Sequence, residues 1–414
     1  MRRAISERTE SQLRTAMIAF IAAMSFPHTL SAQTRDYYRD TRWKMVKEFI
    51  EDEGIANPRV LEAMRTVPRH EFVLGASKKM AYYDQALPIG HQQTISPPFI
   101  VAYMTETIDP QPDDIVLEIG TGSGYQAAVL SDLVKEVYTI EIVEELGKQA
   151  AKRLQKLGYK NVEAKVGDGY LGWPEHAPFD KIIVTCSPEN VPVPLIEQLR
   201  EGGKMIIPLG ERYQQVFYLF EKEEGKLVEK KLIPTLFVPM TGKSEQEREI
   251  KPDPLHPKMV NGGFEIDEND DGRADGWHYQ RQTKLIDEDA PVGDRFLEIT
   301  NIEPGRAAQI LQGTAIDGES IESIKLHFRV RLVNVKAGPE KNHLPGITIY
   351  FYDHQRRTVG EVIVGPWSGS RRWTFDSAVV EVPEKAREMI IGAGLNGGTG
   401  ELNIDDIEYT TELR

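Results

Sequence analysis

The sequence predicts an α/β domain with a doubly wound, mostly parallel sheet, followed by an all-β jelly-roll sandwich. Strand-like and helical segments alternate from about residue 36 to residue 242, whereas after residue 258 the segments are short, strand-like and bounded by Gly, Pro and Asp. Alternating strands and helices are typical of parallel sheets covered by helices, and successions of short strands are typical of sandwiches. A chain of 414 residues is long enough for both domains.

The composition argues against several classes of protein. The 50 Lys and Arg residues and 64 Asp and Glu residues give a net charge of −14, which argues against a general nucleic-acid binder. The single cysteine, Cys186, excludes an intrachain disulfide and a zinc site built on a cysteine cluster. The apolar run at residues 15–26 is too short to span a bilayer as a helix, so no stable membrane span is predicted.

The N-terminal segment, residues 1–32, resembles a secretory signal peptide. Its apolar run follows several arginines and precedes Ala32, a small residue of the kind found at cleavage sites. Acidic residues in the basic region and Leu30 near the cleavage position argue against export. Two localisations therefore stay open: the cytoplasm, and export through a signal peptide that ends near Ala32.

The first domain is predicted to span residues 36–242 and to begin with helices. Residues 37–53 have an amphipathic pattern, and Asn57 followed by Pro58 is typical of a helix start. Strands and helices then alternate, and a hairpin that turns near Gly225 follows them. The predicted strands are Ile115–Ile119, Val137–Glu141, Val162–Val166, Lys181–Thr185 and Lys204–Pro208, and the predicted helices are Gln126–Leu133, Val143–Leu157 and Val193–Leu199.

A glycine-rich loop follows the first of these strands, with glycines at Gly120, Gly122 and Gly124. The dinucleotide fingerprint G-x-G-x-x-G needs its third glycine at position 125, where this chain has Tyr125. The loop alone is therefore a weak indication of any one ligand.

Acidic residues stand at the ends of three neighbouring strands. Glu118 precedes the loop, Glu141 ends the second strand, and Asp168 with Gly169 follows the third. Ligands of doubly wound sheets bind at the carboxyl ends of the strands, where one acid can accept from ribose hydroxyls and another from an adenine amino group. The set suits an adenosine without phosphate and fits S-adenosylmethionine better than NAD. Taken singly, Asp168 and Gly169 also fit a turn, and Glu141 also fits a helix cap.

Four stretches resemble the signature sequences of protein-L-isoaspartate O-methyltransferases, in the order of that family. They are YDQALPIGHQQTISPPFIVAYMTE, VLEIGTGSGYQAAVL, GDGYLGWPEHAPFDKIIVT and QLREGGKMIIPLG. The resemblance covers about residues 40–246. It implies a doubly wound S-adenosylmethionine-dependent methyltransferase domain that methylates the free α-carboxylate of L-isoaspartyl residues in damaged proteins and peptides. The ester then collapses to a succinimide, which reopens partly to normal aspartate.

The resemblance also assigns the residues that meet the substrate. Ser96 matches the family's active-site serine and is expected to orient the substrate carboxylate, and Thr94 and Ile95 are expected to line the same pocket. A carboxylate is already ionised at neutral pH, so the reaction needs alignment and desolvation rather than a general base. The chain departs from some family members at Val101, where they have a histidine.

Near the end of the domain, Thr241 and Gln246 match a Thr and a Gln that the family uses, and we expect them at the cofactor. Val238 lies in the segment that lends backbone groups to the peptide. Cys186 stands where small apolar residues are usual, and we interpret it as a buried small residue rather than a catalytic thiol.

Residues 243–258 are charged and contain three prolines, which predicts a linker between the methyltransferase domain and a sandwich at residues 259–414. Asp267, Asn269 and Asp271 fit the start of a calcium loop. His278 replaces the glutamate of an EF-hand, so an EF-hand is excluded. A shorter calcium loop and a solvated acidic turn stay as alternatives.

The first and last strands of this second domain resemble carbohydrate-binding modules of the galactose-binding-like type. That resemblance makes Glu265 and Asp405 candidate ligands of a structural calcium ion, and the domain a candidate binder of carbohydrate or protein. Trp277, Trp367 and Trp373 could stack on sugars, although burial in the core is commoner for tryptophans of a sandwich.

Three functions stay open at this stage. The first is repair of isoaspartyl proteins. The second is methylation of a small carboxylic acid, which would keep the cofactor residues but not the peptide pocket around Ser96 and Val238. The third is a polysaccharide-binding protein with a vestigial methyltransferase domain. The intact Glu118, Glu141 and Asp168 argue against the third, and the cytoplasmic origin of S-adenosylmethionine favours the cytoplasm.

Overall fold

A computed structural model describes residues 38–414, so the predicted signal-like segment lies outside the described residues. These residues fall into two compact units. The first comprises residues 38–88 and Ile95–Glu106, and the second comprises Ile89–Thr94 and Thr107–Arg414. Within residues 38–414, no helix has both the length and the apolar character needed to cross a membrane.

The first unit is mainly helical. Residues 38–46 are helical and continue as a π-helical turn at Lys47–Glu51, and together they form α1. Helix α2 is Pro58–Thr66, and the Asn57 side chain accepts hydrogen bonds from the first backbone N–H groups of this helix. The predicted N-cap is thus confirmed. Two 3₁₀ turns follow, at Arg69–Glu71 and Gly75–Met80. The chain continues with β1 (Leu87–Gly90), β2 (Gln93–Ile95) and α3 (Pro98–Thr107), of which residues 89–94 and Thr107 belong to the second unit.

A seven-stranded sheet forms the centre of the α/β domain, in the order β5-β4-β3-β6-β7-β8-β9. The first five strands pair in parallel and β8 and β9 are antiparallel, as predicted for a doubly wound sheet extended by a hairpin. The strands are β3 (Ile115–Ile119), β4 (Glu136–Glu141), β5 (Val162–Val166), β6 (Phe179–Val184), β7 (Leu199–Glu211), β8 (Gln214–Glu223) and β9 (Lys226–Thr235).

Helices connect the parallel strands, at Tyr125–Ser131 (α4), Glu144–Leu157 (α5) and Val193–Gln198 (α6). Strand β6 is buried along its whole length, and its charged residues Asp180 and Lys181 are buried as well. The Asp180 carboxylate accepts from the Ile115 N–H at the start of β3. Helix α5 ends at Gly158, whose positive φ of 91° lets it close the last turn. These elements bring the carboxyl ends of β3, β4 and β5 to one edge of the sheet.

The C-terminal region consists of two five-stranded sheets, with orders β10-β13-β18-β15-β16 and β11-β12-β19-β14-β17. All paired strands in both sheets are antiparallel, and their inner faces share one apolar core. The predicted all-β sandwich is therefore confirmed. The strands are His278–Arg281, Thr283–Ile286, Phe296–Asn301, Gln309–Ala315, Ile321–Lys336, Gly346–Tyr352, Thr358–Val364, Gly369–Glu381, Glu388–Gly394 and Thr399–Leu413, numbered β10 to β19 in that order.

The tryptophans of the sandwich serve its packing. Trp277 is fully buried and its indole N–H donates to the Asn261 carbonyl at 2.9 Å, and Trp367 is 7% exposed. Trp373 packs edge-on against Phe296 and beneath the Arg331 guanidinium. Burial in the core is thus the outcome for Trp277 and Trp367.

The predicted calcium ligands do not form a metal-binding group. No group of three or more His, Cys, Asp or Glu side chains among residues 38–414 is arranged to hold a metal ion. Asp267 instead accepts from the backbone N–H groups of residues 271 and 272, and Asn269 donates to Asp271. Glu265 and Asp405 accept from N–H groups of the loop at residues 292–295. Backbone donors therefore satisfy these carboxylates, as expected for turns.

Part of the predicted linker is structured. Lys243–Gln246 form a short helix, α7, and Arg248 is only 5% exposed. The charged sequence predicted a solvated linker, but the Arg248 guanidinium is buried and donates hydrogen bonds to groups in other parts of the fold. Its guanidinium donates to the carbonyls of Ser187 and Gly210 and pairs with Glu245.

Candidate active site

The glycine-rich loop leaves β3 with its three glycines in left-handed backbone conformations. The φ angles are 99° for Gly120, 53° for Gly122 and 88° for Gly124. A Cβ atom on Gly120 would lie 2.5 Å from the Thr185 hydroxyl oxygen. That hydroxyl also donates to the carbonyls of Ile119 and Gly120, so the loop is fixed against the end of β6. Glycine is therefore required here for both φ and space.

A buried chain of side chains supports the loop from below. Glu118 is fully buried, and the Thr139 hydroxyl donates to its Oε2 at 2.6 Å. The Thr121 hydroxyl is 2.6 Å from that of Thr139, and it must donate because Thr139 has only one proton. Burial raises the pKa of Glu118 to about 8. Its Oε1 is buried and has no hydrogen-bond partner among residues 38–414.

Glu141, at the end of β4, holds two backbone segments. Its Oε2 accepts from the Gly122 N–H at 2.7 Å and its Oε1 accepts from the Val143 N–H at 2.9 Å. The acid therefore fixes the glycine-rich loop to the residue that precedes α5. It does not cap this helix, because the N-cap is Val143 and, within residues 38–414, no side chain bonds to the free N–H groups of the first turn. Each carboxylate oxygen has a second lone pair, so Glu141 retains capacity to accept from ribose hydroxyls.

Asp168, after β5, is held at both oxygens as well. Its Oδ1 accepts from Tyr170 N–H at 3.0 Å, which makes the predicted turn, and its Oδ2 accepts from Lys243 N–H at 2.9 Å. A Cβ on Gly242 would lie 2.5 Å from the same Oδ2, so the chain passes directly over this carboxylate. Gly169 is equally restricted, because a Cβ there would lie 2.3 Å from Ile119.

The segment at residues 238–248, which we call the strap, follows the edge of the sheet past these strand ends. Ser187 N–H donates to the Val238 carbonyl and Met240 N–H donates to the Ser187 carbonyl, both at 2.9 Å. Arg248 donates to the same Ser187 carbonyl at 3.0 Å. Thr241 and Gln246 are exposed on this segment, which is therefore held beside Asp168.

Residues 40–245 match the family model of Protein-L-isoaspartate(D-aspartate) O-methyltransferase (PCMT). The Protein-L-isoaspartate O-methyltransferase of Gloeobacter violaceus is 52% identical over 204 residues, which cover 49% of this chain and 100% of the relative. The chain belongs to the protein-L-isoaspartate O-methyltransferase family.

Other family members are similarly close. Protein-L-isoaspartate O-methyltransferase 1 of Nitrosospira multiformis is 50% identical over 228 residues, covering 54% of this chain and 96% of the relative. A solved protein-L-isoaspartate O-methyltransferase is 30% identical, covers 50% of this chain and 67% of its own, and has a TM-score of 0.46. The predicted family and its dependence on S-adenosylmethionine are thus confirmed.

The residues of this methyltransferase fit a cationic adenosine cofactor. The glycines let the loop backbone pack closely on Thr185, Ile89 and Leu154, and Glu118, which precedes the loop, has a buried oxygen without a hydrogen-bond partner among residues 38–414. Two further carboxylates, Glu141 and Asp168, lie close enough to raise the pKa of the Cys186 thiol, after burial as the first cause. Cys186 is half-buried rather than fully buried as predicted, and its raised pKa keeps the thiol protonated, which supports its interpretation as a residue that is not a catalytic thiol.

The residues predicted to meet the substrate are divided between the units. Ile95 and Ser96 belong to the first unit and Thr94 to the second. Ile95 is buried, Ser96 is half-buried and Thr94 is exposed. The Ser96 carbonyl accepts from the buried Arg69 guanidinium at 2.7 Å.

The sequence did not point to several residues that shape this site. Thr139 lies inside β4 and Thr185 directly follows β6. The one local sign of each is that a polar residue stands in or beside a strand that is largely buried. The Lys243 N–H is a backbone group that no sequence pattern distinguishes. Arg248 lies in the charged stretch that predicts a solvated linker, because its acceptors, Ser187 and Gly210, are distant in sequence.

Proposed function

We propose that residues 36–242 transfer a methyl group from S-adenosylmethionine to the free α-carboxylate of L-isoaspartyl residues in damaged proteins and peptides. Family membership over residues 40–245 carries this proposal. The arrangement of the glycine-rich loop above Glu118, with Glu141 and Asp168 at the next strand ends, supports it.

The cofactor, when bound, supplies an electrophilic methyl group on a sulfonium. Gly120, Gly122 and Gly124 would give it backbone access, and the carboxylates of Glu118, Glu141 and Asp168 would attract its positive charge or accept its hydroxyl and amino protons. We assign Gly169, Thr241 and Gln246 to the same site by the family resemblance.

The nucleophile is the substrate's own carboxylate, so the protein has to align it and exclude water rather than remove a proton. We assign this alignment to Ser96, whose hydroxyl can donate to the carboxylate, with Thr94 and Ile95 beside it. Backbone groups near Val238 are proposed to bind the peptide on either side. Holding two reactants in line can supply roughly 7–11 kcal/mol of the barrier.

Transfer of a labelled methyl group tests this function. The acceptors are an isoaspartyl hexapeptide and its normal aspartyl twin, with Ser96→Ala and Asp168→Ala as variants. We expect methylation of the isoaspartyl peptide alone, reduced in both variants. Methylation of small carboxylic acids but of neither peptide would favour the second candidate function, and binding without any transfer would contradict both.

The domain limits and the localisation belong to the same proposal. We infer that the enzyme works in the cytoplasm, because its cofactor is made there, and that residues 243–258 separate the methyltransferase domain from the sandwich. N-terminal sequencing of the mature chain tests the localisation, and cleavage after Ala32 would contradict it. Two of the tryptophans that could have stacked on a carbohydrate, Trp277 and Trp367, pack in the core instead.

A further inference from the structure

A buried guanidinium holds the backbone of the segment that carries Ser96. Arg69 is fully buried, in the 3₁₀ turn after α2. Its Nη2 donates to the Ser96 carbonyl at 2.7 Å, and its Nε donates to the Ala81 carbonyl at 2.9 Å. The same Nη2 lies 3.5 Å from the Gln85 carbonyl. One planar side chain thus joins residues 81–85 to the end of β2.

A second link runs between the same two segments. Oδ1 of Asp84 accepts from the Phe99 N–H at 2.9 Å, in the first turn of α3. Ser96 therefore lies between a fixed carbonyl, its own, and a fixed N–H three residues later. Pro97 and Pro98 stand between them, and their rings restrict φ. The backbone of this turn has few remaining degrees of freedom.

The buried position of the Arg69 guanidinium is unfavourable for a charged group. Burying a charged group costs several kcal/mol, and hydrogen bonds to carbonyls offset only part of that. A lysine could supply the charge but not the rigid fork that spans separate acceptors. The fork geometry, rather than the charge, is what links Ser96 to residues 81–85.

We propose that Arg69 and Asp84 are positioning residues for the reaction: together they fix the Ser96 backbone so that its hydroxyl meets the substrate carboxylate. This rests on the proposed function, in which Ser96 orients that carboxylate. Neither residue has to touch the substrate. A displacement of about 1 Å at such a group can cost on the order of 100-fold in rate.

Steady-state kinetics on the full chain tests the proposal with an isoaspartyl hexapeptide. We expect Arg69→Lys and Asp84→Ala to lower kcat/KM for the peptide by about 10- to 100-fold. Asp84→Asn keeps an oxygen that can accept from Phe99 N–H, so it should retain most of the wild-type value. The dissociation constant of S-adenosylhomocysteine, measured by calorimetry, should stay within about twofold of the wild-type value, since the backbone groups that Arg69 and Asp84 hold lie outside the glycine-rich loop.

A stability control separates positioning from mere loss of fold. Val60→Ala removes buried methyl groups from α2 in the same unit and leaves the hydrogen bonds of Arg69 and Asp84 in place. It should lower the melting temperature while leaving kcat/KM unchanged. If Arg69→Lys lowers kcat/KM no more than Val60→Ala does, or if Asp84→Asn is as impaired as Asp84→Ala, the positioning role is overturned. A wild-type chain that binds the cofactor but does not methylate the peptide would overturn the proposed function itself, and with it this proposal.

Discussion

At the scale of single residues, Glu118 is a carboxyl group whose surroundings favour its neutral form. Burial raises its pKa to about 8, the Thr139 hydrogen bond opposes this, and the nearby Glu141 charge adds to it. At pH 7 the free enzyme should therefore hold a proton on Glu118. A cofactor with net positive charge stabilises the ionised form, so its binding should release this proton.

This coupling predicts that S-adenosylmethionine binds more tightly as pH rises from 6 to 8. The association constant should increase by up to about tenfold per pH unit and level off above pH 8, because the proton is then already absent. Calorimetry in two buffers of different ionisation enthalpy measures both the affinity and the released proton. Glu118→Gln is the matched control, and an equally steep pH dependence in that variant would contradict the role of Glu118.

Gly120 gives a prediction about space rather than charge. Gly120→Ala would combine a positive φ of 99° with a Cβ only 2.5 Å from the Thr185 hydroxyl. Gly54 has a similar φ of 104° but no atom within 4 Å of an added Cβ, so Gly54→Ala isolates the backbone strain. We expect Gly54→Ala to cost about 1–2 kcal/mol in the free energy of unfolding.

Gly120→Ala should cost more stability than Gly54→Ala and weaken S-adenosylhomocysteine binding by roughly 100-fold or more, because the loop must move away from Thr185. Urea unfolding and calorimetry on both variants check this. Equal effects of the two variants on cofactor binding would show that the contact with Thr185 has no importance.

At the scale of elements, the strap depends on one buried cation. Arg248 donates to the carbonyls of Ser187 and Gly210, and its Nε donates to Glu245 at 3.0 Å. Arg248→Met would leave these acceptors without their donor in a buried place. We expect a loss of about 3 kcal/mol in the free energy of unfolding, measured by urea titration.

The matched control for Arg248 is Arg200, whose side chain is 52% exposed in an ion pair with Asp180. Arg200→Met should cost less than about 1 kcal/mol, since exposed pairs contribute little. A similar cost for both substitutions would mean that the strap is held by its backbone contacts alone.

The elements of the parallel sheet could largely be predicted from sequence, because each strand is a short apolar run between a helix and a turn. Strand β3 matches its predicted bounds, whereas β7 extends from Leu199 to Glu211 rather than from Lys204 to Pro208. Its extra residues pair with Phe179 at one end and with Gln214 at the other. Such pairing depends on neighbouring strands, which local composition does not reveal.

The candidate site was predictable in part for the same reason. Glycines and acids at strand ends follow from the alternation of strands and helices, so Glu118, Glu141 and Asp168 could be found. Thr139 and Thr185 could not, since their contacts form only when β3 lies between β4 and β6. The spacing of Asp267 and Asp271 suggested a metal site. In the structure both carboxylate oxygens of Asp267 accept hydrogen bonds from backbone N–H groups of the same turn, those of Asp271 and Gly272.

At the scale of the whole molecule, the sandwich and the methyltransferase sheet lie in one compact unit. Lys231 of β9 pairs with Glu268 at 2.7 Å and Asp275 at 3.4 Å. Nε2 of His278, in β10, is 3.0 Å from the Tyr213 carbonyl beside β8. The sandwich is therefore attached through specific contacts and not only through the chain between the two domains.

His278 makes this attachment sensitive to acid. It is fully buried, and a carbonyl partner requires that Nε2 carries the proton of the neutral ring. Burial lowers its pKa to about 4, from 6.5 in the unfolded chain. Between these values the unfolded chain binds a proton that the folded chain does not. The stabilisation is therefore complete above pH 6.5, is lost as pH falls towards 4 and does not change further below 4.

Denaturant titrations at pH 7 and pH 5 measure this loss. For the wild type, His278 should account for roughly 2 kcal/mol of the fall in unfolding free energy between the two pH values. The His278→Gln side chain keeps an N–H donor for the Tyr213 carbonyl but does not titrate. The fall in unfolding free energy between pH 7 and pH 5 should therefore be smaller in this variant by roughly 2 kcal/mol. His354 is exposed, and His354→Gln should behave like the wild type. If His278→Gln shows the full wild-type fall instead, the loss of stability comes from other groups, and His278 does not make the attachment of the sandwich sensitive to acid.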